Sequence, residues 1–105
     1  MKVGKLKKFD AAEHLRTLEA RAEYLSLVLA DGDPAEIRDA LNVVARAQGM
    51  SEVAKAAGVT REGLYKTLGA SGNPEFATVM RVIGAMGIRL SVQATNAKPK
   101  KRVVA

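Results

Sequence analysis

Residues 50–68 read MSEVAKAAGVTREGLYKTL, and the mechanics of this stretch decide the fold. Ser51 can cap a short helix ending at Ala57, and Thr60 can cap a second one ending near Leu68. Ala54 falls where two such helices cross, a place that admits only a small side chain. Gly58 falls in the turn, where the backbone needs a positive φ that most residues resist. Val53, Val59, Leu64 and Leu68 supply an apolar wedge that fixes the crossing angle. This is the anatomy of a helix-turn-helix. The bland alternative is a helical hairpin in a bundle, with Arg61 and Lys66 as solvated surface charges. Thr67 stands where many such motifs carry an aliphatic residue, so the exit of the second helix is expected to pack in its own way.

The geometry leaves Thr60, Arg61, Glu62, Tyr65 and Lys66 on the outer face of the second helix, the one that enters the major groove in proteins of this build. Arg61 can grip a guanine through two hydrogen bonds. Glu62 can accept from a cytosine amino group, or orient Arg61 instead. Lys66 suits a phosphate or a base. Ser51 and Lys55 on the first helix would lie near the backbone of a duplex, and Asn73, in the loop that follows, can donate to a phosphate.

Working outward, Asp33 and Pro34 start a helix running to about Ala47, with Ile37, Leu41, Val44 and Ala45 as its buried stripe and Gln48-Gly49 as its end. Before it, Thr17 caps a helix from about Leu18 to Ala30, with Ala22, Leu25, Val28 and Leu29 at helical spacing, and Gly32 closes it. Asp10 and Glu13 form a capping-box pattern for a shorter helix to about Arg16. The two can equally be one bent helix. Downstream, Asn73-Pro74 opens a helix to about Met86, with Val79, Met80, Val82 and Ile83 as its apolar positions, and Gly87 stops it. Ile88–Gln93 then alternates apolar and polar, the period of a half-buried strand. One strand cannot satisfy its own backbone. Its partner could be the segment near Val3 to Leu6, the same strand of a second copy, which implies a homodimer, or another protein.

Length and composition bound the rest. A chain of 105 residues suits one compact domain. Its aromatics are Phe9, Tyr24, Tyr65 and Phe76, so the core must be aliphatic and alanine-rich. There is no cysteine, which excludes disulfides, thiolate metal sites and cysteine catalysis and fits a reducing compartment. No apolar run approaches the ~18–20 residues of a membrane span, and no apolar stretch follows the N-terminal lysines as a secretory signal would require. A soluble, cytoplasmic protein with no membrane partner is expected.

The net charge of +6 is unevenly spread. Lys2, Lys5, Lys7 and Lys8 crowd one end, and Lys98, Lys100, Lys101 and Arg102 the other. Asp10 to Asp39 holds 8 acidic and 3 basic residues, a net of −5, whereas Arg46 to Arg89 nets +3. The tails serve either solubility or non-specific attraction to phosphate.

Enzymatic chemistry fits poorly. His14 is the single histidine. Ser26, Ser51, Ser71 and Ser91 have no neighbouring base to activate them. The Gly69–Gly72 run lacks the lysine and hydroxyl ending of a phosphate loop. No metal-ligand spacing occurs, so no catalytic residue, metal or cofactor is expected. A basic RNA-binding role is disfavoured because exposed aromatic platforms are scarce.

From about Phe9 to Val92 the chain resembles the probable addiction-module antidote proteins, a HigA-like group of Xre-type repressors. The residues that carry the likeness are Phe9–Glu13, Tyr24-Leu25, Gly32-Asp33, Ala40-Leu41, Gly49-Met50, Arg61–Lys66, Gly72–Phe76 and Gly84–Gly87. The resemblance implies an antitoxin of a type II toxin–antitoxin module. Such a protein would neutralise a RelE/HigB-like toxin and repress its own operon as a dimer. Toxins of that class are ribonucleases with basic surfaces, which the acidic N-terminal half would suit; its bland reading is solvation of two amphipathic helices. The long basic C-terminal tail is not expected of the group.

The expected architecture is all-α. It is a lambda-repressor-like helix-turn-helix bundle of five to six helices with a short C-terminal β-strand. Residues 1–8 form a basic flexible segment, 9–95 the domain and 96–105 a basic tail. The expected activity is sequence-specific binding to double-stranded operator DNA. The alternative is a protein-interaction module that inhibits a toxin and binds DNA little or not at all.

Overall fold

The structure, a computed structural model, describes residues 14–95. These residues form five helices: α1 (Leu18–Asp31), α2 (Pro34–Gln48), α3 (Met50–Ala57), α4 (Arg61–Thr67) and α5 (Phe76–Ala85). The expected basic segment 1–8 and tail 96–105 lie outside the described residues, as does most of the expected helix from Asp10 to Arg16. His14 to Arg16 form a turn and irregular chain.

Local chemistry sets the boundaries. Thr17 is extended and its hydroxyl accepts from the Ala20 N–H at 3.0 Å, so α1 begins afresh rather than continuing a bent helix. Arg21 reaches back to the Leu15 and Arg16 carbonyls, each at 3.1 Å, and ties the preceding chain down. Gly32 stops α1 in the left-handed region. Asp33 then caps α2 through the Glu36 N–H at 3.1 Å, with Pro34 at the first helical position.

Several expectations need correction. Ser51 is not a cap: the cap is Gly49 and α3 begins two residues earlier than expected, because the Gly49 carbonyl already accepts from Val53 at 3.0 Å and Met50 is drawn into the core. Asn73-Pro74 does not open the last helix. Gly72 is held against the Thr67 carbonyl and Arg38 binds the Gly72 carbonyl at 3.2 Å, so the chain stays extended through Glu75 and α5 starts at Phe76. Met80 is not a core position. Val79, Val82, Ile83 and Met86 face the core at spacings of three and four, and Met80 lies about 100° away from Val79 and is exposed. No strand forms at Ile88–Gln93 among the described residues, since a lone segment has nothing to pair with.

The core is aliphatic. Leu25 of α1 and Leu41, Val44 and Ala45 of α2 meet Val53 and Ala54 of α3; Leu64, Leu68, Val82, Ile83 and Met86 complete it. α3 is the hub, packing against α2, α4 and α5, while α1 packs on α2. Four residues of this short helix are buried: Met50, Val53, Ala54 and Ala57. The two alanines let neighbouring helices come close, and burial of a valine such as Val53 contributes ~1.5–3 kcal/mol. Among the described residues no polar or charged residue is buried as a whole, but the Nε atoms of Arg21 and Arg38, Oδ1 of Asn42 and Oε1 of Gln48 are enclosed without a hydrogen-bond partner, each at some cost in desolvation.

Candidate nucleic-acid interface

α3 and α4 are joined by Gly58-Val59-Thr60, and each residue of that turn has a distinct task. Gly58 sits at φ 77 and ψ 28, left-handed, with its N–H on the Lys55 carbonyl at 3.2 Å. The Val59 N–H reaches the Ala54 carbonyl at 3.0 Å, and its side chain packs on the core. Thr60 is extended, and its Oγ1 accepts from the Gly63 N–H at 2.9 Å. The turn is therefore fixed by backbone hydrogen bonds and a side-chain cap.

α4 has only one buried residue, Leu64, and Leu68 at its C-terminal end is equally enclosed. These two positions, four apart, hold the helix to the core. Thr60, Arg61, Glu62, Tyr65 and Lys66 are all exposed. Thr67 is half-buried while Leu68 takes the inward position, so the helix is anchored one residue later than an aliphatic residue at 67 would anchor it.

Arg61 does not lean on Glu62. Its guanidinium lies over the Tyr65 ring, 5.5 Å from the centroid, one turn along the helix. Such a cation–π contact is worth ~0.5–1 kcal/mol at an exposed site and narrows the rotamers of a long side chain. The arginine is held in place by its face while its N–H edge stays free to donate.

Ser51 and Lys55 occupy exposed positions of α3. Lys66 and Asn73 are brought together: both line a groove of about 370 Å³, with Thr67, Ser71, Glu75 and Thr78 among its walls. Glu75 brings a carboxylate to the same groove.

Three supporting residues have contacts that the sequence gives no local reason to expect, although Gly72 is among those that carry the family likeness. Arg81 of α5 donates from Nε to the Ala57 carbonyl at 3.3 Å, bracing the end of α3 just before the turn. Arg38 of α2 holds the loop that leads into Asn73. Gly72 admits no side chain, since a Cβ there would collide with the Thr67 carbonyl at the end of α4. The two arginines lie 24 and 34 residues from the carbonyls they bind, beyond any local pattern.

Among the described residues, the titratable group that departs from its ordinary behaviour lies away from α4. Burial, and next the Asp39 carboxylate, push the Tyr24 hydroxyl up from its usual value. Among the described residues no group of three or more His, Cys, Asp or Glu side chains could hold a metal ion. No described helix is long and apolar enough to cross a membrane.

A family model described as "probable addiction module antidote protein" matches residues 5–94. An uncharacterized protein of Haemophilus influenzae (strain Rd) is 47% identical over 91 residues, spanning 87% of this chain and 94% of the relative. No solved structure matches the chain.

Proposed function

Because the chain belongs to the family of probable addiction module antidote proteins, we propose that it is the antitoxin of a type II toxin–antitoxin module and binds the operator of its own operon through α4. In this reading residues 50–68 are a helix-turn-helix of the lambda-repressor kind. α4 enters the major groove, Arg61 reads a guanine while braced by Tyr65, and Lys66 and Asn73 meet phosphates on either side of the loop. Ser51 and Lys55 approach the backbone from α3. The protein acts by occupancy and not by catalysis, as a homodimer on a palindromic site in the cytoplasm. Its other partner is a RelE/HigB-like toxin, to which the acidic α1–α2 half offers charge of the right sign.

The observation that supports this most is the division of α4. Leu64 and Leu68 anchor one side, and Arg61, Tyr65 and Lys66 stand exposed on the other behind a Thr60 cap. The test is fluorescence anisotropy with duplex DNA from upstream of the protein's own reading frame. Arg61→Ala with Lys66→Ala should weaken binding at least ~5- to 150-fold, the range for one lost bidentate base contact of about 1–3 kcal/mol. The helical circular dichroism should stay at the parent's level. Parent-like affinity in the folded double variant would overturn the assignment. The reading without DNA binding is favoured if neither protein binds the duplex and both neutralise the toxin.

A further inference from the structure

α4 turns two cations and one carboxylate toward solvent: Arg61, Lys66 and Glu62 are all exposed. A carboxylate on a face that meets a polyanion weakens binding to every sequence alike, unless one sequence gives it something to bind. Two cations are its neighbours on the helix, and neither engages it. Arg61, the preceding residue, lays its guanidinium over the Tyr65 ring, 5.5 Å from the centroid. Lys66 stands four residues on, the spacing that favours a Glu–Lys pair, yet it lines the groove with Asn73. No side-chain hydrogen bond among the described residues involves Glu62. Its two oxygens stay free to accept.

Resting on the operator-binding reading above, we propose that Glu62 selects a cytosine in the base pair next to the one that Arg61 reads. An ionised carboxylate only accepts hydrogen bonds. Cytosine is the base whose major-groove edge offers a donor, its N4 amino group, with no acceptor beside it. Guanine and thymine turn acceptor oxygens toward the same carboxylate and are repelled. Adenine offers its N6 amino group but sets the N7 lone pair next to it.

Spacing puts the two contacts on neighbouring base pairs, because consecutive Cα atoms lie about 3.8 Å apart and stacked bases about 3.4 Å. Arg61 and Glu62 then present a donor and an acceptor side by side, matched by a guanine and a cytosine in adjacent pairs. The carboxylate works mainly by exclusion: it makes the wrong bases bind worse more than it makes the right one bind tightly.

The test is selection from a random duplex library with the full chain, followed by anisotropy on single-base variants of the selected site. Arg61→Ala marks the pair that Arg61 reads, by relaxing its guanine. At an adjacent pair the parent should prefer cytosine at least about fivefold. Glu62→Gln keeps the side chain's size and adds an amide donor, which suits N6 and N7 of adenine together. Preference at that pair should move from cytosine toward adenine while the guanine is kept. The same variant should bind unrelated duplexes more tightly than the parent, since a negative charge has left the face, and its circular dichroism melt should show a folded protein. A folded Glu62→Gln protein that keeps the parent's preference at every position, binding all duplexes tighter by one common factor, overturns the proposal and leaves operator binding standing. A parent that enriches no sequence overturns the operator reading and the proposal with it.

Discussion

The turn that aims α4 rests on one backbone conformation, and replacing Gly58 with alanine isolates its cost. Gly58 lies at φ 77, and a Cβ built there meets no atom within 4 Å. Steric conflict with neighbours is therefore absent, and the penalty is the intrinsic cost of a left-handed L-residue, ~1–2 kcal/mol. For a domain of this size that is a fall in Tm of about 4–16 °C. Gly84 provides the opposite case. It lies inside α5, is exposed, and a Cβ there also meets nothing within 4 Å. Gly84→Ala should therefore stabilise by ~0.5–1 kcal/mol and raise Tm by about 2–8 °C, because the unfolded chain loses freedom that the helix never used. Gly58→Asn should recover part of the loss, since asparagine tolerates the left-handed region better than alanine. Thermal melts followed by circular dichroism at 222 nm give all of these on one scale. A Gly58→Ala protein that melts at or above the parent would refute the reasoning, because the turn would then not hold a left-handed residue.

Thr60→Ala removes the acceptor for the Gly63 N–H and should cost ~0.5–2 kcal/mol, while Thr60→Ser keeps most of it; urea unfolding separates the two. Gly72→Ala forces the loop away from the Thr67 carbonyl and should cost ~1–3 kcal/mol, with amide shift changes spreading to Lys66 and Asn73. Tyr24 holds its proton to higher pH in the folded chain than in the unfolded one, so stability should fall as pH rises above the ordinary tyrosine value near 10. Tyr24→Phe should flatten that fall, and an unchanged slope would show that another group causes it.

The parts of the fold that rest on local chemistry are legible in the residues. Thr17, Asp33 and Thr60 cap as their side chains require, and Gly32, Gly58 and Gly87 all adopt positive φ. The stripe of Leu41, Val44 and Ala45 and the wedge of Val53, Leu64 and Leu68 are buried. Boundaries set by distant contacts are not legible. Glu75, not Asn73, precedes α5 because Arg38 and Thr67 fix Gly72 first. Met80 looks apolar enough for the core, but the helix phase set by Val82, Ile83 and Met86 turns it outward. The eight residues chosen for the interface are each exposed, and of these only Lys66 with Asn73 and Arg61 with Tyr65 are seen to be brought together. The stacking of Arg61 on Tyr65 is absent from the sequence reading, although an i, i+4 spacing in a helix invites it.

Whether α4 presents its exposed side to a DNA duplex can be read by titrating the 15N-labelled full chain with the duplex from upstream of its own reading frame, at two salt concentrations. The largest amide and side-chain shifts should fall at Thr60 to Lys66, with Asn73, Ser51 and Lys55 next. Shifts confined to α1 and α2, or no saturable change at either salt concentration, would contradict it.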